Sequence, residues 1–294
     1  MSLSPIHFLK FALLLAVGLG LSLPALGFRP GQGAPPGLIE KFEERFVVDS
    51  QCERYEVLEI FADGRIERWE ILMLYQYRPD KVYGLIRVLP TALRPGTVAL
   101  TVQEAGKTPH IFSWRPGQAE TRQLEGPPAR ATIGDSPWHY ENMLDDDKEP
   151  WDWQRGRGRV FVEGVECNVL IGNWGDPEMR YNSAFGQRRM HLPVGDLSFA
   201  RTEFFDRRGN FVKTIAARDY RVVDRGEDGQ PRLRAHRIDI TNAERNSQSM
   251  FLLREGRYDL PLPEGLFDPA FLPQWSTETD SKLLALVRGE EVQP

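Results

Sequence analysis

IERWEILMLYQYRPDKVYGLIRVL, residues 66–89, decides the fold. Trp69, Ile71, Met73, Tyr75 and Tyr77 recur at every second position, which is the period of a strand and not of a helix. Arg78-Pro79-Asp80-Lys81 reads as a turn, and residues 82–89 form a second apolar run that returns beside the first. Working backward, Tyr55, Val57 and Phe61 alternate up to Asp63-Gly64, a hairpin turn. Working forward, a fourth strand is expected at 98–104, after the break at 90–97.

The pattern persists to the end of the chain. Strands are expected at 111–114, 119–124, 160–163, 165–171, 197–205, 211–223, 233–240 and 250–253. That makes about eleven, with turn residues between them and no alternation with helices, so an open antiparallel sheet or partial barrel fits. Residues 38–46 place Leu38, Ile39, Phe42 and Phe46 at helical spacing and predict one short amphipathic helix. Residues 126–153 read as a long loop with a short helix near 140–144.

The strand faces bear on function. A half-solvated strand alternates apolar and charged residues. Here Tyr83, Leu85 and Leu89 oppose Val82, Ile86 and Val88, and the second face of 66–77 still holds Leu72 and Leu74. Both faces need cover, and one short helix is too little for a sheet of this size. The sheet either closes on a packed core or encloses an apolar cavity. The candidate wall of such a cavity is Trp69, Ile71 and Met73, with Ile86, Val88, Leu100 and Val102 beside it on neighbouring strands. In the competing reading this face packs against Leu38, Phe42 and Phe46 with no space left.

Composition narrows the classes. The chain has 294 residues, 41% hydrophobic, 11% aromatic and 27% charged, with a formal net charge of -5. That is globular, and it lacks the basic stripe a nucleic-acid partner requires. A mean hydropathy of -0.42 excludes a polytopic helical membrane protein. The first residues are a different matter. Residues 11–23 are almost purely apolar, Pro24 ends the run, and Ala25-Leu26-Gly27 puts small residues where a signal peptidase reads them. We expect residues 1–27 to be a signal peptide cleaved after Gly27, 28–37 a Gly/Pro-rich leader, and 38–294 a single domain. The two cysteines, Cys52 and Cys167, form a disulfide in an exported chain or remain two buried thiols.

The search for catalytic chemistry yields little. None of the five histidines stands at His-x-x-x-His spacing, and there is no Cys-x-x-Cys, so no metal site is expected. Gly134-Asp135-Ser136 matches a nucleophile motif over three residues only. The acidic run 145–149 lacks the spacing of a calcium loop. Trp138, Tyr140, Trp151 and Trp153 flank that run, the one arrangement that suggests a carbohydrate-active enzyme.

Residues 78–90, followed by Leu93-Arg94-Pro95-Gly96-Thr97-Val98-Ala99-Leu100, resemble the strand, Pro, turn, Gly-Thr, strand succession of the LolA-like family of outer-membrane lipoprotein-sorting proteins. Phe112-Ser113-Trp114-Arg115-Pro116-Gly117 resembles its aromatic strand meeting a Pro. Ile133-Gly134-Asp135-Ser136 and Trp138-His139-Tyr140-Glu141-Asn142-Met143-Leu144 resemble its glycine-serine loop and aromatic-Tyr-Glu-Asp-Leu stretch, with Asn142 where the family often has Asp. Gly164-Val165-Glu166-Cys167-Asn168-Val169-Leu170, the hairpin Glu203-Phe204-Phe205-Asp206 through Gly209 to Lys213, and residues 260–267 match further segments in order. The resemblance implies a curled antiparallel half-barrel with a helix lid, in the periplasm, that binds acyl chains without catalysis. It further implies a monomeric carrier, without a cofactor, between an inner-membrane transporter and an outer-membrane acceptor. An envelope-stress sensor domain of the same fold is the alternative, and the Trp/Asp loop 138–153 is the feature of an enzyme reading.

Overall fold

In the computed structural model, residues 38, 46–104, 107–133, 137–144, 151–175, 177–195, 200–226 and 229–290 are described. The signal peptide, the leader and most of the expected first helix lie outside them. The described residues form thirteen strands: β1 (Ser50–Ile60), β2 (Ile66–Tyr77), β3 (Lys81–Val88), β4 (Thr97–Glu104), β5 (His110–Trp114), β6 (Arg122–Leu124), β7 (Trp151–Val162), β8 (Val165–Trp174), β9 (Gln187–Pro193), β10 (Ala200–Phe205), β11 (Phe211–Arg225), β12 (Pro231–Asn242) and β13 (Ser247–Tyr258). They make one sheet in the order β6-β5-β4-β3-β2-β1-β13-β12-β11-β10-β9-β8-β7. Two meanders, β1 to β6 and β7 to β13, are joined along the antiparallel β1–β13 ladder.

The mainly β, antiparallel expectation holds, with β9 and the first half of β7 additional to it. At Asp63-Gly64 the expected turn forms: Gly64 takes φ 81°, and the Asp63 carboxylate accepts from the Arg65 N–H at 3.0 Å. The sheet curls enough that strands from its two ends face each other. Residues of β5 and β6 at one end and Trp174 of β8 near the other line the same cavity.

The convex face of the first meander is covered by the C-terminal segment, not by the expected N-terminal helix. Leu262, Leu266, Phe267, Leu272, Trp275, Leu283 and Val287 pack on Leu72, Leu74, Leu85, Val98 and Leu100. The last three belong to, or precede, a helix at Thr277–Arg288 that starts on the Ser276 cap and ends at Gly289, φ 77°. Arg87 of β3 and Asp280 of this helix, both buried, share two hydrogen bonds of 2.8 and 2.9 Å. The Trp275 indole N–H adds a third to the same carboxylate at 2.7 Å. Of the stretch expected as a helix, Leu38 packs on Leu170, Met190, Leu192 and Ala200. Phe46 meets Tyr258 edge-on and lies under Arg234. Neither end reaches the Trp69 face.

The disulfide is ruled out. Cys52 and Cys167 are both free and buried. Cys52 lies on β1 and Cys167 on β8, six strand spacings apart in the sheet, or about 29 Å along it at about 4.8 Å per strand. A disulfide needs Cα atoms within about 7 Å.

Candidate functional site

The concave face is fixed by register. Val57 pairs with Trp69, Tyr55 with Ile71, Ile71 with Val88, and Met73 with Ile86. Trp69, Ile71, Met73, Ile86 and Val88 therefore share one buried face, as the alternation indicated, together with Tyr55, Val57, Ala99 and Phe251. Leu100 and Val102 do not. Ile86 pairs with Ala99, while Leu100 pairs with Leu85 and both turn to the convex side under the C-terminal segment. The residues of β4 that face inward are Thr97, Ala99, Thr101 and Gln103, with the small Ala99 and Thr101 at the centre.

What stands before this face is neither empty space nor a helix. It is the segment made up of 131–133 and 137–144. Ile133, Trp138, Tyr140 and Met143 are all buried in the same cluster as Trp69, Ile71 and Met73. Trp138 tilts onto Phe251 with ring centroids 5.4 Å apart, and Phe251 in turn meets Trp69 edge-on. The Tyr140 hydroxyl donates to Ser113 Oγ at 3.0 Å. Local pairing shapes the segment: Ile133 N–H bonds the Trp138 carbonyl, Tyr140 N–H the Ala131 carbonyl, and Tyr140–Met143 forms one 3-10 turn. Gly84 of β3 leaves room for it against the sheet. A Cβ there would lie 2.8 Å from the Tyr75 ring and 3.2 Å from the Met143 carbonyl.

The segment is held by one buried cation, while Arg245 adds a hydrogen bond to Thr132 Oγ1 at 2.8 Å. Lys213 of β11 is fully buried. Its ammonium has three protons, and the segment supplies three acceptors: the Pro137 carbonyl at 3.3 Å, His139 Nδ1 at 2.8 Å and Asn142 Oδ1. Asn142 Oδ1 also accepts from the His139 N–H at 3.1 Å, closing the turn. The rings of Phe185 and Phe204 lie 5.1 and 5.3 Å from the ammonium. Burial drives the Lys213 pKa down, and the carboxylate of Glu141 opposes this. Burial, then the Lys213 charge, pushes His139 down to about 2, so it accepts as a neutral ring. Burial raises Glu141, which is held in place by the Ala184 N–H at 2.8 Å.

Beside this segment lies a cavity of about 380 Å³. Ile111, Leu124, Leu144, Trp174 and Tyr181 give it an apolar wall, and Glu141 lies at its inner end. The volume is at the low end of small-molecule sites. Ile111 and Leu124 also belong to, or pack on, the concave-face cluster, so the cavity is the open end of that core. None of the seven expected wall residues lines it.

Sequence reading missed Lys213, His139 and Glu141 as a site, although both segments that carry them had been singled out. The aromatic residues of 138–153 do not converge on an exposed platform. Trp138 and Tyr140 are inside the core, while Trp151 stacks on Trp174 at 3.8 Å with the Arg188 guanidinium 4.0 Å over its ring. The acidic run 145–149 lies outside the described residues. Among the described residues, no three His, Cys, Asp or Glu side chains are grouped to hold a metal ion.

Three comparisons place this architecture. Residues 80–274 match the profile of a family described as uncharacterized protein. None of the curated proteins compared matches the chain. Among solved structures, a domain assigned to outer membrane lipoprotein sorting from Vibrio parahaemolyticus aligns at a TM-score of 0.67 and 17% identity, covering 80% of this chain and 96% of that one. A DUF1329 family protein from Desulfovibrio piger aligns at 0.67 and 14%, covering 79% and 95%. A LolA superfamily protein from Nitrosomonas europaea aligns at 0.56 and 13%, covering 78% and 96%. At these identities the likeness is one of fold, and the fold is LolA-like.

Proposed function

The chain belongs to this uncharacterized family and has the LolA-like fold, and on that premise we propose that it is a non-enzymatic carrier of acyl chains in the periplasm. Residues 1–27 direct export and are removed, and one domain follows from residue 38. The cargo is a lipid or the acyl chains of a lipoprotein, taken from an inner-membrane donor and passed to an outer-membrane acceptor. The observation that carries this reading is the way the concave face is covered. Trp69, Ile71, Met73, Ile86 and Val88 are closed off by a non-strand segment, 131–133 with 137–144, pinned through Lys213. A face covered in this way can be uncovered without breaking any strand ladder.

The energies are of matching size. Fully burying a large apolar side chain contributes about 1.5–3 kcal/mol, so displacing Ile133, Trp138, Tyr140 and Met143 costs on the order of 6–12 kcal/mol. An acyl chain gains about 0.8 kcal/mol per buried CH₂, or about 11 kcal/mol for a chain of about fourteen methylenes. Exchange of segment for chain is then near balance, which is what uptake and release both require. The cavity at Ile111, Leu124 and Leu144 is the entry, because it already opens onto the core at the segment's edge. The test is native mass spectrometry of protein purified from its own envelope, with titration of a fluorescent fatty acid. A lipid adduct and saturable binding support the reading. Protein free of lipid that binds no acyl probe overturns it.

A further inference from the structure

β7 is the last strand of the sheet, so one side of its backbone has no strand partner. Along it stand Arg155, Arg157 and Arg159, all exposed, and then Phe161, 74% exposed. The register breaks here: between Arg155 and Arg159 three residues of β7 stand opposite the single Val169 of β8. Gly156 allows the break, since a Cβ on it would lie 2.8 Å from the Val169 Cβ. Gly158, at φ 70°, completes it. The bulge carries Arg157 outward, where it has no hydrogen bond or ion pair among the described residues. Among the described residues, Arg155 reaches only the neutral Asn168, at 3.4 Å. Arg159 is paired with Glu166 at 3.1 Å, and Glu163 at the hairpin tip is paired with Arg218 of β11. Arg218 is also paired with Asp239 at 3.0 Å, so four arginines face three carboxylates, on a chain whose net charge is -5.

The direction of this surface matters. Arg155 pairs with Leu170, and Phe161 with Glu166, on the side of the sheet that holds Leu170, Met190, Leu192 and Ala200. It is the concave side. The exposed aromatic and the arginines rim the far end of the face that the proposed cargo would occupy.

We propose that the β7–β8 hairpin is a docking surface for a bilayer that carries anionic headgroups, with Arg155 and Arg157 on the phosphates and Phe161 at the level of the interface. Arginine stems lie along apolar surface while their heads stay in water, and an aromatic tip is suited to the headgroup region. Such a surface goes beyond the carrier reading and does not depend on what fills the cavity. A bland alternative exists: charges and a bulge on an edge strand also prevent sheet-to-sheet aggregation. The two differ in the sign of the charge. A guarding role is served by Glu as well as by Arg, and a membrane role is not.

The experiment is flotation of the full chain with vesicles of phosphatidylcholine alone or mixed with phosphatidylglycerol. Wild type is expected to float with the anionic vesicles and to be released by high salt. Arg155→Glu with Arg157→Glu is expected to lose binding by about tenfold or more, since each basic residue near such a surface contributes on the order of fivefold. Phe161→Ser is expected to weaken it several-fold at unchanged salt dependence. All three side chains are exposed, so thermal unfolding of both variants should match wild type. Failure of wild type to bind anionic vesicles overturns the proposal, as does undiminished binding by the charge-reversed variant. Fatty-acid binding is read separately, so either result leaves the carrier reading standing or falling on its own.

Discussion

Replacing Lys213 by Met removes the cation that pins segment 131–144 and keeps most of the side chain's volume. Three acceptors lose their donor. Asn142 Oδ1 keeps the His139 N–H, but the Pro137 carbonyl and His139 Nδ1 lose the ammonium bond. A buried group deprived of its partner costs about 1–3 kcal/mol. Against that, Met no longer requires an ammonium to be desolvated beside Phe185 and Phe204. We expect closure of the segment to weaken by about 2–4 kcal/mol, a rise of about thirtyfold to a thousandfold in its open population. Hydrogen exchange resolves this by location: amides of 131–133 and 137–144 should exchange faster by that factor, while those of β2 and β3 change little. Because cargo must wait for the open state, a fluorescent fatty acid should bind Lys213→Met more tightly than wild type even as the melting temperature falls. If the segment exchanges only together with β2 and β3 in both proteins, it is ordinary core and the reasoning fails. Faster exchange in the segment with unchanged or weaker fatty-acid binding also refutes it.

Other outcomes follow from the same contacts. Gly84→Ala should loosen the segment by pressing on Tyr75 and the Met143 carbonyl, visible as faster exchange at 137–144 with a smaller loss of global stability than Ile71→Asp. Ile71→Asp buries a carboxylate beneath Trp138 and Met143 and should cost about 4 kcal/mol or more in chemical denaturation. Arg87→Met leaves Asp280 a buried charge without its guanidinium and should cost about 3–5 kcal/mol, with selective exposure of residues 277–288 to proteolysis. Below pH 6.5 unfolded His139 takes up a proton that the folded ring, held down at about 2, does not. Its contribution therefore falls as pH falls, by about 1.4 kcal/mol per unit. The raised pKa of Glu141 acts in the opposite sense, so the wild-type profile alone does not isolate His139. His139→Gln should gain about 2 kcal/mol on wild type between pH 7 and 5 in paired denaturation curves.

The sheet was legible because β2 and β8 carry apolar residues at every second position, the period at which strand side chains share a face. The phase was lost on β4. There Val98, Leu100 and Val102 are larger than Ala99 and Thr101, so size suggested the concave side, yet both faces of β4 are buried and the small residues are the ones beneath the segment. β9 escaped notice because Arg188 and Arg189 interrupt its apolar run, although Arg188 is buried against Trp151 and Trp153. The helix at Thr277–Arg288 carried a readable signal in its Ser276 cap, acidic first turn and terminal Gly289. Lys213 was not legible as a site. A lysine between Val212 and Thr214 on a strand reads as an outward charge until tertiary structure supplies its three acceptors.

The central claim is that an acyl chain takes the place of segment 131–144 on the concave face. Hydrogen exchange of wild type with and without saturating fatty acid tests it most directly. The account predicts faster exchange in 137–144 and slower exchange in β2 and β3 on binding. Saturable binding that leaves 137–144 as protected as before, or no binding at all, would contradict it.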